Sequence, residues 1–159
     1  MAEEQPTRIL LLEDNVNFLE TLTDLLRDHG YEVTAVSRSD EAIRLASSQD
    51  FDLLITDIRM EGLDGLQALE KVKEDQPSIQ GMVMSGYCDD HEAARAERLG
   101  VHEILSKPFR AEVFLQAMQL RGAWNRNNPR LLSKQPGKRD LSGCRRFRSA
   151  MLPSRAIRA

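Results

Sequence analysis

Five side chains in this 159-residue sequence are of types, and in places, that could do chemistry together: Glu13, Asp14, Asp57, Ser85 and Lys107. Each ends or closely follows a short apolar run, over residues 8–12, 51–56, 79–85 and 101–105. Carboxylates converging on one point repel one another strongly unless a cation sits among them. Oxygen-only ligands with room for water suit a hard ion, and Mg2+ first among them. A divalent ion neutralises such a pocket and holds a phosphoryl oxygen, which lets a carboxylate act as nucleophile on phosphorus. Lys107 would supply a fixed positive charge for the other phosphoryl oxygens, and Ser85 a hydroxyl donor. The product of such a site is an aspartyl phosphate, with Asp57 as the candidate acceptor.

These residues must be brought to one place by the elements that carry them. Short apolar runs bounded by turn residues mark strands buried on both faces. After residues 8–12, Asn15 is placed to cap a helix with Phe18, Leu19, Leu22, Leu25 and Leu26 at helical spacing, and Gly30 stops it. Residues 31–36 alternate as a second strand. Ser39 or Asp40 caps a helix with Ala42, Ile43, Leu45 and Ala46 inward. The strand ending at Asp57 leads into a loop with Gly62 and Gly65, then a helix on Leu66, Leu69 and Val72 that stops near Pro77. Residues 79–85 form a fourth strand. A helix over 90–99 ends at Gly100, residues 101–105 form a fifth strand, and a last helix carries Val113, Phe114, Ala117, Met118 and Leu120 to about Arg121.

Five strands alternating with five helices predict an α/β fold with a parallel sheet covered on both faces. Right-handed crossovers leave few topologies. A flavodoxin-like, doubly wound order of 2-1-3-4-5 puts strands 1 and 3 side by side and brings the five candidate residues to one sheet edge.

Composition sets the outer bounds. The sequence is 41% hydrophobic, enough for one domain with a real core. Its net charge of −3 conceals an asymmetry: residues 1–121 carry 12 basic against 24 acidic side chains, residues 122–159 carry 10 against 1. An acidic domain over 7–121 and a basic, disordered tail over 122–159 are expected. That tail contains Trp124, three prolines and the Arg145-Arg146-Phe147-Arg148 cluster. Contact with nucleic acid, with an acidic partner or with the acidic domain itself is its alternative role. Cys88 and Cys144 match neither a disulfide framework nor a zinc pattern, and His29, His91 and His102 lack metal-ligand spacing. The opening residues have no leader-like pattern and no run is long enough to span a bilayer, so a cytoplasmic protein without membrane contact is expected.

Glu13-Asp14, Asp57 after its apolar strand, Ser85-Gly86 and Lys107-Pro108-Phe109, in that order, resemble the receiver domain of two-component response regulators, the CheY-like superfamily. The resemblance implies Asp57 as phosphoacceptor from a histidine kinase or phosphotransfer protein. It implies Asp14 as a direct Mg2+ ligand, Glu13 as a ligand through water and the Arg59 backbone carbonyl completing the shell. Ser85 would be the switch hydroxyl, Lys107 the phosphoryl-binding cation, and the Lys107–Pro108 peptide cis. It further implies signalling through phosphorylation-dependent protein contacts, self-catalysed phosphorylation and dephosphorylation rather than turnover of an external substrate, and a fourth helix–fifth strand–fifth helix face as the surface for a homodimer. Four positions depart from, or modulate, that pattern. Glu61 stands where a proline is usual, and Ile104 where an aromatic reports the state of the hydroxyl. Arg59 and Tyr87 stand where side chains tune access of the hydrolytic water. A Mg2+-dependent phosphohydrolase is the competing enzyme class, but its members place an acid two residues beyond the nucleophile, where this sequence has Arg59.

Overall fold

The computed structural model describes residues 5–122 and 156–157. Strands buried on both faces have no room for polar alternation, and β1 (Arg8–Leu12), β3 (Leu53–Asp57), β4 (Gln80–Ser85) and β5 (Glu103–Ser106) are buried almost throughout, whereas the edge strand β2 (Glu32–Val36) alternates. They form one parallel sheet in the order β2-β1-β3-β4-β5. β3, at its centre, is buried at every position.

Side chains alternate across the sheet, so each strand feeds two cores. Ile9, Leu11, Leu53, Ile55, Met82 and Met84 pack with α1 (Val16–Asp28) and α5 (Ala111–Gly122) through Phe18, Leu22, Leu26, Phe114 and Met118. Leu10, Leu12, Leu54, Val83 and Ile104 face α2 (Ser39–Ser48), α3 (Gly65–Asp75) and α4 (Asp90–Arg98) through Ala42, Ala46, Leu66, Leu69, Val72 and Ala96. Each large apolar side chain taken fully from water contributes about 1.5–3 kcal/mol, and these two layers are where the fold draws its stability.

The strand starts expected at 31, 51 and 101 lie one or two residues too early, for one physical reason. The backbone donors there are committed elsewhere. Tyr31 N–H donates to Leu26 O (3.1 Å) and Val101 N–H to Ala96 O (3.0 Å), closing α1 and α4 behind Gly30 (φ 86°) and Gly100 (φ 72°). Phe51 N–H donates to Gln76 Oε1 at 2.8 Å. Neither Ser39 nor Asp40 caps α2: Arg38 holds that position without a side-chain cap, and the Ser39 hydroxyl donates to Leu63 O at 2.8 Å. Asn15 caps α1 as expected.

One small sheet was not anticipated. β6 (Phe109–Arg110) pairs antiparallel with β7 (Ala156–Ile157), Phe109 opposite Ile157 and Arg110 opposite Ala156. Apart from that pair and Gly122, which ends α5, the tail expected over 122–159, with Trp124 and the arginine cluster at 145–148, lies outside the described residues. Among the described residues no helix is long and apolar enough to cross a membrane.

Candidate functional site

The parallel register fixes where each strand runs out. Leu12 lies beside Thr56, Asp57 beside Met84 and Ser85 beside Ser106. Glu13, Asp57, Ser85 and Lys107 are therefore delivered to one edge, at the carboxyl ends of β1, β3, β4 and β5. Backbone bonds continue the sheet just past those ends: Ile58 N–H donates to Met84 O (3.0 Å) and Lys107 N–H to Ser85 O (2.7 Å). The peptide joining Lys107 to Pro108 is cis, as the resemblance implied.

Asp57 owes its backbone position partly to Gly65. A Cβ on Gly65 would stand 1.9 Å from the Asp57 carbonyl oxygen and 2.6 Å from Thr56 Oγ1, so only glycine lets α3 start this close to the strand end. Gly65 N–H donates to Ile58 O at 2.8 Å, and the buried Thr56 hydroxyl donates to the Asp57 carbonyl at 2.8 Å.

At the centre stands Lys107. Its Nζ donates to Glu13 Oε2 and to Asp57 Oδ2, both at 2.7 Å, and lies 4.5 Å from the centroid of the Phe18 ring. Asp57 Oδ1 accepts from Arg59 N–H at 3.1 Å, and Glu13 Oε1 from Asn15 N–H at 3.1 Å. Glu13 is buried whereas Asp14 is exposed, so the adjacent carboxylates meet opposite environments. Burial pushes the Glu13 carboxyl up from 4.5 to about 7. The bonds from Lys107 and Asn15 and the Lys107 charge oppose that rise, and the charge of Asp57 adds to it.

The structure thus brings Glu13, Asp14 and Asp57 together, with one carboxylate oxygen from each within 4.8 Å of the others. An all-oxygen donor set with one exposed member fits a hard divalent cation that keeps some of its water. Ser85 is buried at the same edge, but its hydroxyl donates to the Tyr87 carbonyl and accepts from Tyr87 N–H (3.2 Å). It is turned into its own loop.

Sequence reasoning marked Arg59 and Tyr87 but missed the contacts that build the rim around them. Arg59 Nε donates to Glu92 Oε1 at 3.3 Å, and its guanidinium carbon stands 5.4 Å from the centroid of the exposed Tyr87 ring. Arg95 reaches both oxygens of Asp64, at 3.0 and 3.3 Å. Asp64 also caps α3, and Glu92 closes the capping box of α4 with Asp89. Each helix start is thus strapped to the other's segment. Asp64-x-x-Gln67 and Asp89-x-x-Glu92 were readable as capping boxes, but nothing in the sequence links them across the fold. Ile104, in place of the usual aromatic, is 1% exposed and packs in the core with Ala96 and Val101.

A family profile described as response regulator receiver domain matches residues 9–119. A response regulator receiver protein of Anaeromyxobacter sp. strain Fw109-5 is 35% identical over 101 residues, covering 64% of this chain and 42% of its own length. The chain spans less than half the length of the curated relatives it matches. The non-phosphorylated HemR receiver domain of Leptospira biflexa superposes with a TM-score of 0.68 at 28% identity, over 73% of this chain and 93% of that one. A response regulator of Burkholderia pseudomallei with a phosphorylated aspartic acid, a calcium ion and citrate gives a TM-score of 0.65 at 29% identity, over 74% of this chain and 69% of that one. With its strand order, its strand-end carboxylates and the match over 9–119 in agreement, the chain belongs to the response regulator receiver domain family of two-component signalling.

Proposed function

We propose that the chain accepts a phosphoryl group on Asp57 from a histidine kinase or phosphotransfer protein, with Mg2+, and signals by protein contacts that depend on that modification. One observation carries the reading: Lys107 Nζ bridges Glu13 and Asp57 at 2.7 Å each, beside a carboxylate cluster able to hold a cation. An Asp57 carboxylate oxygen forms the new bond to phosphorus while the bond from phosphorus to the donor breaks, and the donor leaves with that electron pair. Lys107 pairs with a phosphoryl oxygen, and Ser85 turns its hydroxyl from the Tyr87 carbonyl toward another. Glu13, Asp14, Asp57 and the Arg59 carbonyl would hold Mg2+, which when bound supplies charge neutralisation for the phosphoryl oxygens. The phosphorylated aspartic acid in the Burkholderia pseudomallei relative supports the same chemistry here.

In this reading residues 7–121 are the receiver and 122–159 a basic tail, the protein works in the cytoplasm, and it turns over no external substrate. Acetyl phosphate and Mg2+ test it. Intact-mass spectrometry should show one added phosphoryl group on the wild type, lost on omission of Mg2+ and in Asp57→Asn. A wild type that takes no phosphoryl group, or an Asp57→Asn variant that takes it equally, would sink the reading.

A further inference from the structure

Lys107 has two ionic partners and a third neighbour that is not ionic. Its Nζ, on a side chain only 10% exposed, stands 4.5 Å over the centroid of Phe18, a residue of the first turn of α1 that is fully buried. The Phe18 ring does not lie loose in the core. It meets Phe109 at 5.8 Å with a 59° tilt, and Phe109 stacks on Phe114 at 5.6 Å. Phe109 lies two residues beyond Lys107, and Phe114 is on α5. Three rings drawn from α1, β6 and α5 therefore fix the plane on which the ammonium rests.

We infer that Phe18 is a positioning residue for phosphoryl transfer, holding the Lys107 ammonium at Asp57 through the face of its ring. The inference rests on the role proposed above for Lys107. An aromatic face attracts a cation through its quadrupole, most strongly where water is excluded, yet it offers no lone pair that would compete with a phosphoryl oxygen. The attraction is also weakly directional. A carboxylate floor would fix the ammonium by a hydrogen bond, whereas the ring holds it at one level and lets it pivot from Asp57 Oδ2 and Glu13 Oε2 toward the incoming phosphoryl group. An aliphatic side chain of similar size would fill the same space and supply none of this.

The test separates the ring's charge distribution from its bulk. Phenylalanine at position 18 is replaced in the full-length chain by mono-, di- and trifluorinated phenylalanine, which withdraws charge from the ring face in steps. Phosphorylation by acetyl phosphate with Mg2+ is followed by intact mass, and thermal melting is recorded for each protein. The rate constant should fall in order of fluorination, by about tenfold at the end of the series, while the melting temperature barely moves. Phe18→Leu should fall at least as far. A flat rate across the fluorinated series overturns the inference even if Phe18→Leu is slow, since packing alone then explains the position. A second readout needs no phosphorylation: the NMR resonances of the Lys107 Cε methylene should be displaced upfield by the ring current and return on Phe18→Leu. If that displacement is present but the wild type takes no phosphoryl group, the proposed function fails while the contact stands. If it is absent, the contact itself is refuted.

Discussion

Glu13 offers a direct contest between two electrostatic effects, and stability against pH decides it. Burial favours the neutral carboxyl, while Lys107 at 2.7 Å favours the carboxylate. Burial is the larger cause, and the folded value rises from 4.5 to about 7. The folded chain therefore holds the Glu13 proton more tightly than the unfolded chain does. Stability from this group is complete below the unfolded value of 4.5 and is lost as pH rises through about 7. At about 1.36 kcal/mol per pKa unit, the loss is about 3 kcal/mol. Glu13→Gln isolates it, because the amide has nearly the shape of the protonated acid and its oxygen can still accept from Asn15 or Lys107. Urea unfolding of wild type and variant, with a chelator present and ionic strength fixed, would be compared between about pH 4 and about pH 8. The wild type should lose about 3 kcal/mol relative to the variant across that range, most of it between about pH 4.5 and about pH 7. A flat difference would mean that Lys107 cancels the cost of burial. A difference of opposite sign would mean that the ion pair prevails and the folded value lies below 4.5.

Other perturbations test the remaining parts of the argument. In Gly65→Ala the new methyl meets the Asp57 carbonyl at 1.9 Å, and backbone on both sides must give way. A loss of about 3 kcal/mol or more in urea unfolding is expected, and a loss below about 0.5 kcal/mol would show that the close approach is dispensable. Ile104→Ala empties a buried site in the core with Ala96 and Val101, and should cost about 2–4 kcal/mol by the same measurement. A near-neutral result would mean that Ile104 is not packed as described. Glu92→Gln keeps the helix cap but removes the charge facing Arg59. With Arg59 largely exposed, its cost should stay within about 1 kcal/mol and shrink in salt; a larger, salt-insensitive loss would contradict that. Magnesium should raise the urea midpoint of the wild type and raise it less in Asp14→Asn, since a ligand that binds only the folded state stabilises it. Equal shifts in both proteins would exclude Asp14 as a ligand.

The strands and the edge they share were legible because a sheet buried on both faces leaves long apolar runs, and the residue that breaks each run is necessarily at its end. That is why Asp57, Ser85 and Lys107 could be placed together from sequence, and why Gly30 and Gly100 marked helix ends correctly. The expected strand starts at 31, 51 and 101 were too early because apolar character continues past the point where the backbone donor is already taken by a helix end or by Gln76. Side-chain direction was less legible. Glu13 and Asp14 are neighbours of nearly equal chemistry, and no local pattern says that it is Glu13 that turns inward to meet Lys107, 94 residues on. Arg59 and Glu92, 33 apart, and Arg95 and Asp64, 31 apart, meet for reasons no local period encodes.

Phe18 shows the same limit most sharply. In sequence it is one apolar position in a helical stripe with Leu19, Leu22 and Leu26, and the hydrophobic pattern would accept leucine there equally well. Only the fold sets its ring beneath the one ammonium that bridges Glu13 and Asp57. Hydrophobic periodicity registers that a side chain is buried but carries no record of what its surface touches. The chemistry of this edge therefore depends on a residue that the pattern classes as core, and the two roles are separable only by changing the ring's charge while keeping its volume.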